Sequence, residues 1–442
     1  MSGEVLAVTM FVIFMGLIVI GYPVAFSFAL CAVVFGMIGI WQGELLTRQL
    51  NTLPTRFHGL VRDQNLLAIP FFVYMGSIFE RSGQAERLLT AVGRLMGPLR
   101  GGLAVTVVVV GTMLAAATGV VAATVIMMGL ISLPAMVRYG YDHKLATGII
   151  VASGTLAQLL PPSLVLIVLA STTKVSVGAL FRGAVIPGLM LAGLYALYVV
   201  YIAIRHPERA PALPIEERQQ YQGWAMVRES VVAIVPPIAL IVCVLGAIFQ
   251  GIATPSEVGS VGAVVAALLA AMNRRLTWKV IGDAARATAN IVGLVMMMLL
   301  AANFFSFVFD GLGGQRLVAR WLTDLPGGTW TFLIIANIAV FLLGINLEFL
   351  EISFIVMPIF TPIADALGID LVWFLVMMAV NLNIAFISPP VGFSLFYLQT
   401  VKPDAVKTID IHKGALPFCA IQLVGLVLVM VMPWTVTWLS GT

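Results

Sequence analysis

The chain has 442 residues, 61% of them hydrophobic and 10% charged, with a mean hydropathy of +1.06 and a net charge of +4. A soluble domain carries roughly 25% charged residues, so a soluble enzyme or nucleic-acid-binding module is excluded, and an all-α polytopic membrane protein is implied. The small positive balance says nothing about nucleic acid, because Lys and Arg follow membrane topology.

Spanning helices need about 20 apolar residues. Twelve apolar blocks run along the chain, at 4–20, 22–41, 65–80, 103–133, 145–170, 183–204, 231–250, 256–272, 288–309, 329–360, 371–400 and 414–438. The first lacks a basic n-region and a cleavage site, and reads as a retained helix rather than a signal peptide. The polar segment 42–64 reads as an interfacial helix. Blocks 103–133 and 329–360 are too long for one simple crossing, and each has a weak centre, "AAATGVVAAT" (Ala115–Thr124) and "LLGINLEFLE" (Leu342–Glu351). Each is either a long tilted helix or a re-entrant helical hairpin. Blocks 145–170 and 371–400 are broken by Pro161–Pro162 and Pro389–Pro390, since proline removes a donor and clashes with the preceding turn. Between the sixth and seventh blocks lies a Pro-, Arg- and Glu-rich linker, Arg205–Glu229, and a second basic linker covers Asn273–Lys279. Cys31, Cys243 and Cys419 lie in apolar segments without CxxC spacing and read as packing residues. The run "VMMMLL" at 295–300 reads as core, and His58, His143, His206 and His412 all fall in predicted loops, so no His cluster arises.

The prolines recur. Pro134 and Pro362, Gly140 and Gly368, Asp142 and Asp370, Pro161 and Pro389, Pro162 and Pro390, Thr172 and Thr400, and Lys174 and Lys402 are all 228 apart. Matches at one offset and in one order indicate an internal duplication, residues 1–204 and 230–442 joined by a cytoplasmic linker at 205–229. If 103–133 is a hairpin, the first half crosses five times and the second copy enters upside down, as in the inverted repeats of secondary transporters. With the N-terminus outside, seventeen Lys and Arg lie inside, among them Arg87, Arg94, Arg209 and Arg218. Seven lie outside: Arg48, Arg56, Arg62, Lys174, Arg182, Arg316 and Arg320. That bias fits the positive-inside rule and favours hairpins at both long blocks.

Irregular backbone survives at membrane depth only where it is buried in protein or lines a cavity. Freed carbonyls and small hydroxyls there suit Na⁺, and half-helix N-termini suit a carboxylate. The candidate Na⁺ ligands are Ala117, Thr118, Ser153, Gly154 and Thr155 in the first half, and Gly344, Asn346, Asn381 and Asn383 in the second. Candidate substrate contacts are Thr118, Gly119, Gln158, Pro161, Asn346, Ser388 and Pro389. The alternative is that the small residues merely let helices pack closely. Glu348 and Glu351 share a face if helical. They either take part in coupling or sit by a polar cavity wall or a partner subunit. Thr254, Pro255 and Glu257 spell a helix N-terminus with a capping box. Asp142 and Asp370 read as helix caps, and Lys174 and Lys402 as anchors or caps. No residue reads as catalytic and no cofactor is implied, with Na⁺ as coupling ion. An intramembrane enzyme would need a convergent nucleophile and base, and no HExxH or GxSxG stands in a credible setting. No Walker-type GxxxxGK is present either, so the chain does not itself hydrolyse ATP.

Four stretches carry a family resemblance: "LLAIPFFVYMGSIFERSG" (Leu66–Gly83), "ASGTLAQLLPPS" (Ala152–Ser163), "ATPSE" (Ala253–Glu257) and "NLNIAFISPPVGFSLF" (Asn381–Phe396). Across nearly its whole length the chain resembles the large membrane (permease) subunit of tripartite ATP-independent periplasmic (TRAP) transporters. The resemblance implies a scaffold and a mobile transport domain working by an elevator motion, and Na⁺-coupled uptake across a bacterial inner membrane. It also implies two partners, a small four-helix membrane subunit and a soluble periplasmic protein that delivers an organic acid, such as a C4-dicarboxylate, a 2-oxo acid or a sugar acid. The tip "AAATGVV" departs from the Ser-rich tip frequent in the family, which shifts weight to backbone carbonyls there. A rival reading is a stand-alone ion-coupled organic anion carrier or antiporter of related architecture, needing no binding protein.

Overall fold

The computed structural model describes residues 2–45, 50–214, 224–323 and 326–441. Arg48 and Arg218, placed above by the charge bias, lie outside them, as does the middle of the linker. The described residues form α-helices and two short 3₁₀ turns, with no strand. In order, the first helices are α1 (Gly3–Val19), α2 (Val24–Trp41), α3 (Leu53–Val61), α4 (Gln64–Arg81), α5 (Gln84–Met96), α6 (Gly102–Thr118), α7 (Val121–Arg138), α8 (His143–Thr155), α9 (Leu164–Thr173) and α10 (Val177–Arg205). After the linker come α11 (Trp224–Phe249), α12 (Pro255–Met272), α13 (Trp278–Gly311), α14 (Gly314–Thr323), α15 (Gly328–Gly344), α16 (Phe349–Ile355), α17 (Met357–Ala366), α18 (Leu371–Ile387), α19 (Phe393–Gln399), α20 (Thr408–Val431) and α21 (Trp434–Ser440).

Among the described residues seven helices are long and apolar enough to cross a membrane. An eighth span arises if the pair α16–α17, bent by 51°, counts as one. This is fewer than the twelve apolar blocks: 145–170, 329–360 and 371–400 are cut into shorter helices, α1 has only 17 residues, and α4 is polar at both ends. Block 103–133 divides at Gly119–Val120 into α6 and α7, and block 329–360 divides at 345–348 into α15 and α16. The reading of each as one tilted helix is thereby excluded. Three boundaries are corrected. The helix after the linker already begins at Trp224, Trp278 and Lys279 belong to α13 rather than to a linker, and Pro433 splits the last block. Of the histidines placed in loops, His58 lies within α3, His143 opens α8 and His412 lies within α20. Two amphipathic helices, α5 and α14, fall in stretches that apolar-block counting passes over.

The core is built on α8 and α18. Leu145–Thr155 and Val372–Ile387 are buried without interruption, so these helices face protein on every side. By contrast α1, α2, α11 and α12 keep apolar faces outward, including Val12, Phe26, Val242 and Val264. Close crossings use glycine, because lipid supplies no hydrophobic drive between helices and packing must do so. Where α8 crosses α20, a Cβ on Gly148 would collide with the Gly414 carbonyl.

Caps behave as their residues dictate. The Asp142 carboxylate accepts from the Lys144 and Leu145 N–H at 2.9 and 3.0 Å, and that of Asp370 accepts from the Trp373 N–H at 2.7 Å. Thr254 and Glu257 form the expected box, with Thr254 N–H donating to Glu257 Oε2 at 2.7 Å and Glu257 N–H to Thr254 Oγ1 at 3.4 Å. Thr254→Ala is expected to cost about 1 kcal/mol of stability, read as a lowered Tm of the purified protein with uptake per folded molecule unchanged.

Polar chain ends gather in two places. In one, Arg87 bonds Asn273, Arg94 pairs with Glu229 at 3.1 Å, and Asn273 Nδ2 donates to the Ser82 carbonyl at 3.2 Å. In the other, Arg320 pairs with Glu4, and a cavity of about 700 Å³ is lined by residues that include Arg56, Lys174, Asp310 and Gln315. The first group takes its cations from the expected inner set, the second from the expected outer set.

Candidate functional site

The first helix pair is pinned at its base. Gly101 N–H donates to the Ala210 carbonyl at 2.9 Å, and Asp142 N–H to the Arg209 carbonyl at 3.0 Å. Both outer ends of the α6–α7 pair therefore rest on one short strap, 209–210, which lies past the end of α10. The pair's tip lies at the far end, over the first proline break. Gly119 there has φ +63°, and a Cβ on it would stand 2.6 Å from the Pro162 carbonyl oxygen. A Cβ on Gly76 of α4 would stand 2.5 Å from the Thr118 carbonyl oxygen. The tip is thus seated by backbone-to-backbone approaches that only glycine permits.

The proline breaks leave carbonyls without helical partners. Two serines meet them. Ser163 Oγ donates to the Gln158 carbonyl, and Ser394 Oγ to the Phe386 carbonyl at 2.6 Å. Both Pro–Pro bonds are cis.

The two tips and the first break border a cavity of about 180 Å³. Gly119–Ala122 of the first tip, Gln158 of the first break and Leu164–Val165 of α9 form one side. Ile291, Leu294 and Val295 of α13 form the floor, and Glu348–Leu350 of the second tip, with Phe386 and Tyr397, close it. Gln158 is 1% exposed, and neither atom of its amide has a partner. The Glu351 carboxylate accepts from the Glu348 N–H at 2.8 Å, so the two glutamates begin α16 together as a cap.

The remaining candidates divide. Thr118 Oγ1 lies 2.8 Å from Thr124 Oγ1, Ser153 Oγ donates to the Ile149 carbonyl at 2.7 Å, and Thr155 Oγ1 to the Ala152 carbonyl at 2.9 Å. Ala117 and Gly154 are buried against neighbouring side chains, and Gly344 abuts Ala385. Asn346 is exposed, while Ser388 and Pro389 are half-buried. Of the named residues, the structure brings Gly119 and Gln158 to one cavity. Pro161 stays in the break behind it.

In the second half, Asn381 Nδ2 donates to both oxygens of Asn337, backbone at 2.7 Å and side chain at 2.8 Å. That fixes the amide and leaves Asn381 Oδ1 buried without a partner, and both side-chain polar atoms of buried Asn383 are likewise unpaired. An unpaired buried amide oxygen is costly, so the two oxygens, Asn381 Oδ1 and Asn383 Oδ1, suit a cation. Sequence reasoning passed over Asn337, Ser394 and Tyr397. A lone Asn inside the apolar run "FLIIANIAVFLL" was the available signal for the first. Among the described residues no three His, Cys, Asp or Glu side chains group as a metal site.

The pattern described as "Tripartite ATP-independent periplasmic transporter, DctM component" matches residues 11–435. The chain belongs to this family. This DctM-family chain is 32% identical to the C4-dicarboxylate TRAP transporter large permease protein DctM of Vibrio cholerae, over 97% of this chain and 96% of that one. It is 27% identical to the sialic acid TRAP transporter permease protein SiaT of Haemophilus influenzae, over 96% of this chain and 66% of that protein. It is also 27% identical to the isethionate TRAP transporter permease protein DctMQ of Oleidesulfovibrio alaskensis, over 94% and 63% respectively. Among solved structures, the Alcanivorax borkumensis YdaH transporter superposes with a TM-score of 0.63 at 16% identity, covering 89% of each chain, a likeness of fold. The DctM-family chain is therefore a multi-pass permease component of a bacterial TRAP transporter and not an enzyme.

Proposed function

We propose that this permease imports an organic acid, delivered by a periplasmic binding protein, by Na⁺-coupled elevator transport. The observation that carries this reading is the meeting of both helix-pair tips and the first proline break at one cavity, lined by the buried, unpaired amide of Gln158. Two inverted repeats, 1–204 and 230–442, joined by a cytoplasmic linker, account for the arrangement. Their support is the recurrence of helix order. α6–α7 corresponds to α15–α17, α8 to α18, α9 to α19 and α10 to α20. The re-entrant character of the first pair is supported by its two ends resting on one strap. A periplasmic N-terminus is supported by the two separate clusters of charged ends.

In this reading the tips, breaks, α8 and α18 move as the transport domain. The outward apolar helices α1, α2, α11 and α12 stay as scaffold beside lipid and the small four-helix membrane subunit. Na⁺ is held by the oxygens of Asn381 and Asn383, with tip atoms of Gly344 and Asn346, and in the first half by Ala117, Thr118, Ser153, Gly154 and Thr155. The substrate takes Thr118, Gly119, Gln158, Pro161, Asn346, Ser388 and Pro389. The permease lies in the bacterial inner membrane.

The test is uptake of labelled organic acids by liposomes holding this chain and its small subunit, with the binding protein and a Na⁺ gradient added or withheld in turn. Uptake is expected only when both are present. Uptake without the binding protein would favour a stand-alone carrier, and indifference to Na⁺ would remove the cation sites.

A further inference from the structure

We propose that the central cavity is built for a small monocarboxylate with an apolar body, and against dicarboxylates. This rests on the transport reading above and narrows its substrate. At about 180 Å³ the cavity lies below the roughly 300–1,000 Å³ usual for drug-sized ligands, so the cargo is small.

One carboxylate has a place to go. The first turn of α7 lines the cavity through Val121 and Ala122, and its N-cap, Val120, offers no side-chain bond to the turn's free N–H groups. A helix N-terminus of this kind favours an anion. Beside it stands the unpaired, fully buried Gln158 amide, whose Nε2 can donate to the same carboxylate.

A second carboxylate has none. Among the described residues the cavity is lined by no Lys, Arg or His, and its one carboxylate there, Glu348, begins α16 with its N–H held by Glu351. A second carboxylate brought there would lose its water and meet no cation to offset the loss. The rest of the wall is apolar, including Leu164, Leu294, Phe349 and Phe386, and gives sugar hydroxyls no partners either. A desolvated polar group left unpaired lowers affinity, whereas an aliphatic or aromatic body gains by leaving water. Tyr397 adds one hydroxyl, enough for a 2-oxo or 2-hydroxy group.

The test measures the Tm of the purified permease with its small subunit in Na⁺ buffer, titrated with 4-methyl-2-oxopentanoate or with succinate. The binding protein is left out so that its own selectivity plays no part. The expected result is a Na⁺-dependent stabilisation by the monocarboxylate, with succinate at least about tenfold weaker. Gln158→Leu is expected to remove the response to the monocarboxylate. Equal or tighter binding of succinate by the unaltered protein overturns the proposal, as does the absence of any shift with the monocarboxylate. The liposome assay separates the two levels: Na⁺-dependent uptake of dicarboxylates by the full assembly would sink this inference and leave the transport reading standing.

Discussion

Gly119→Ala is expected to abolish uptake and to lower the Tm of the purified permease. Two costs coincide at this residue. Its φ of +63° places a Cβ-bearing residue in the left-handed region, at about 1–2 kcal/mol. The added Cβ would also stand 2.6 Å from the Pro162 carbonyl oxygen, which belongs to backbone and cannot rotate away. Overpacking of this kind costs about 1–3 kcal/mol, so a total of about 2–5 kcal/mol is expected, released by lifting the tip off the break. Gly140→Ala separates the two costs. Gly140 has φ +78° with nothing within 4 Å of a Cβ. It is expected to lose stability by the first cost alone, and to keep transport. Equal uptake by the two variants would show that the seating of the tip on Pro162 is irrelevant to function.

Asn381→Ala is expected to raise the Na⁺ concentration for half-maximal uptake by about tenfold or more, while Asp142→Ala leaves it unchanged. The Asn381 amide is oriented by two bonds to Asn337, which leaves its own oxygen unpaired and buried. Removing it deletes the ligand. Asp142 only caps α8, so its loss costs about 1 kcal/mol of stability and no cation affinity. Asn346→Ala, at the exposed second tip, is expected to follow Asn381→Ala. The measurement is the Na⁺ dependence of uptake at saturating substrate, normalised to folded protein. Equal losses from all three variants would mean that general destabilisation, not cation binding, is being read.

Much of this architecture is written in the sequence, and what was missed has identifiable causes. Proline acts locally, so the breaks at Pro161–Pro162 and Pro389–Pro390 declare themselves without tertiary context, while Ala115–Thr124 shows only a weak centre. The caps at Asp142, Thr254 and Asp370 also declare themselves, because a cap is satisfied within four residues. The amphipathic α5 and α14 escaped, since a search for apolar blocks is blind to a helix with one polar face. Site residues were harder still. The Ser153 and Thr155 hydroxyls donate to carbonyls of their own helix and keep their oxygen lone pairs for a ligand, an orientation that the sequence does not declare. The Asn337–Asn381 pair spans 44 residues, and nothing local announces such a partner. Glu348 and Glu351 do share a helix start, but only the fold tells that Glu348 also faces the same cavity as Gln158.

The strap that follows α10 bears on how the gene product can be divided. Arg209 and Ala210 hold the base of the first helix pair, and Leu213 N–H donates to the Gly97 carbonyl at 3.1 Å, tying in the end of α5 as well. These residues belong by sequence to the connector and by bonding to the first half. Two separately expressed polypeptides cut at Arg205 would hand that strap to the wrong fragment and leave the α6–α7 base open. A cut between Pro214 and Trp224 keeps it with its helix pair, and is the place where a split permease can reassemble.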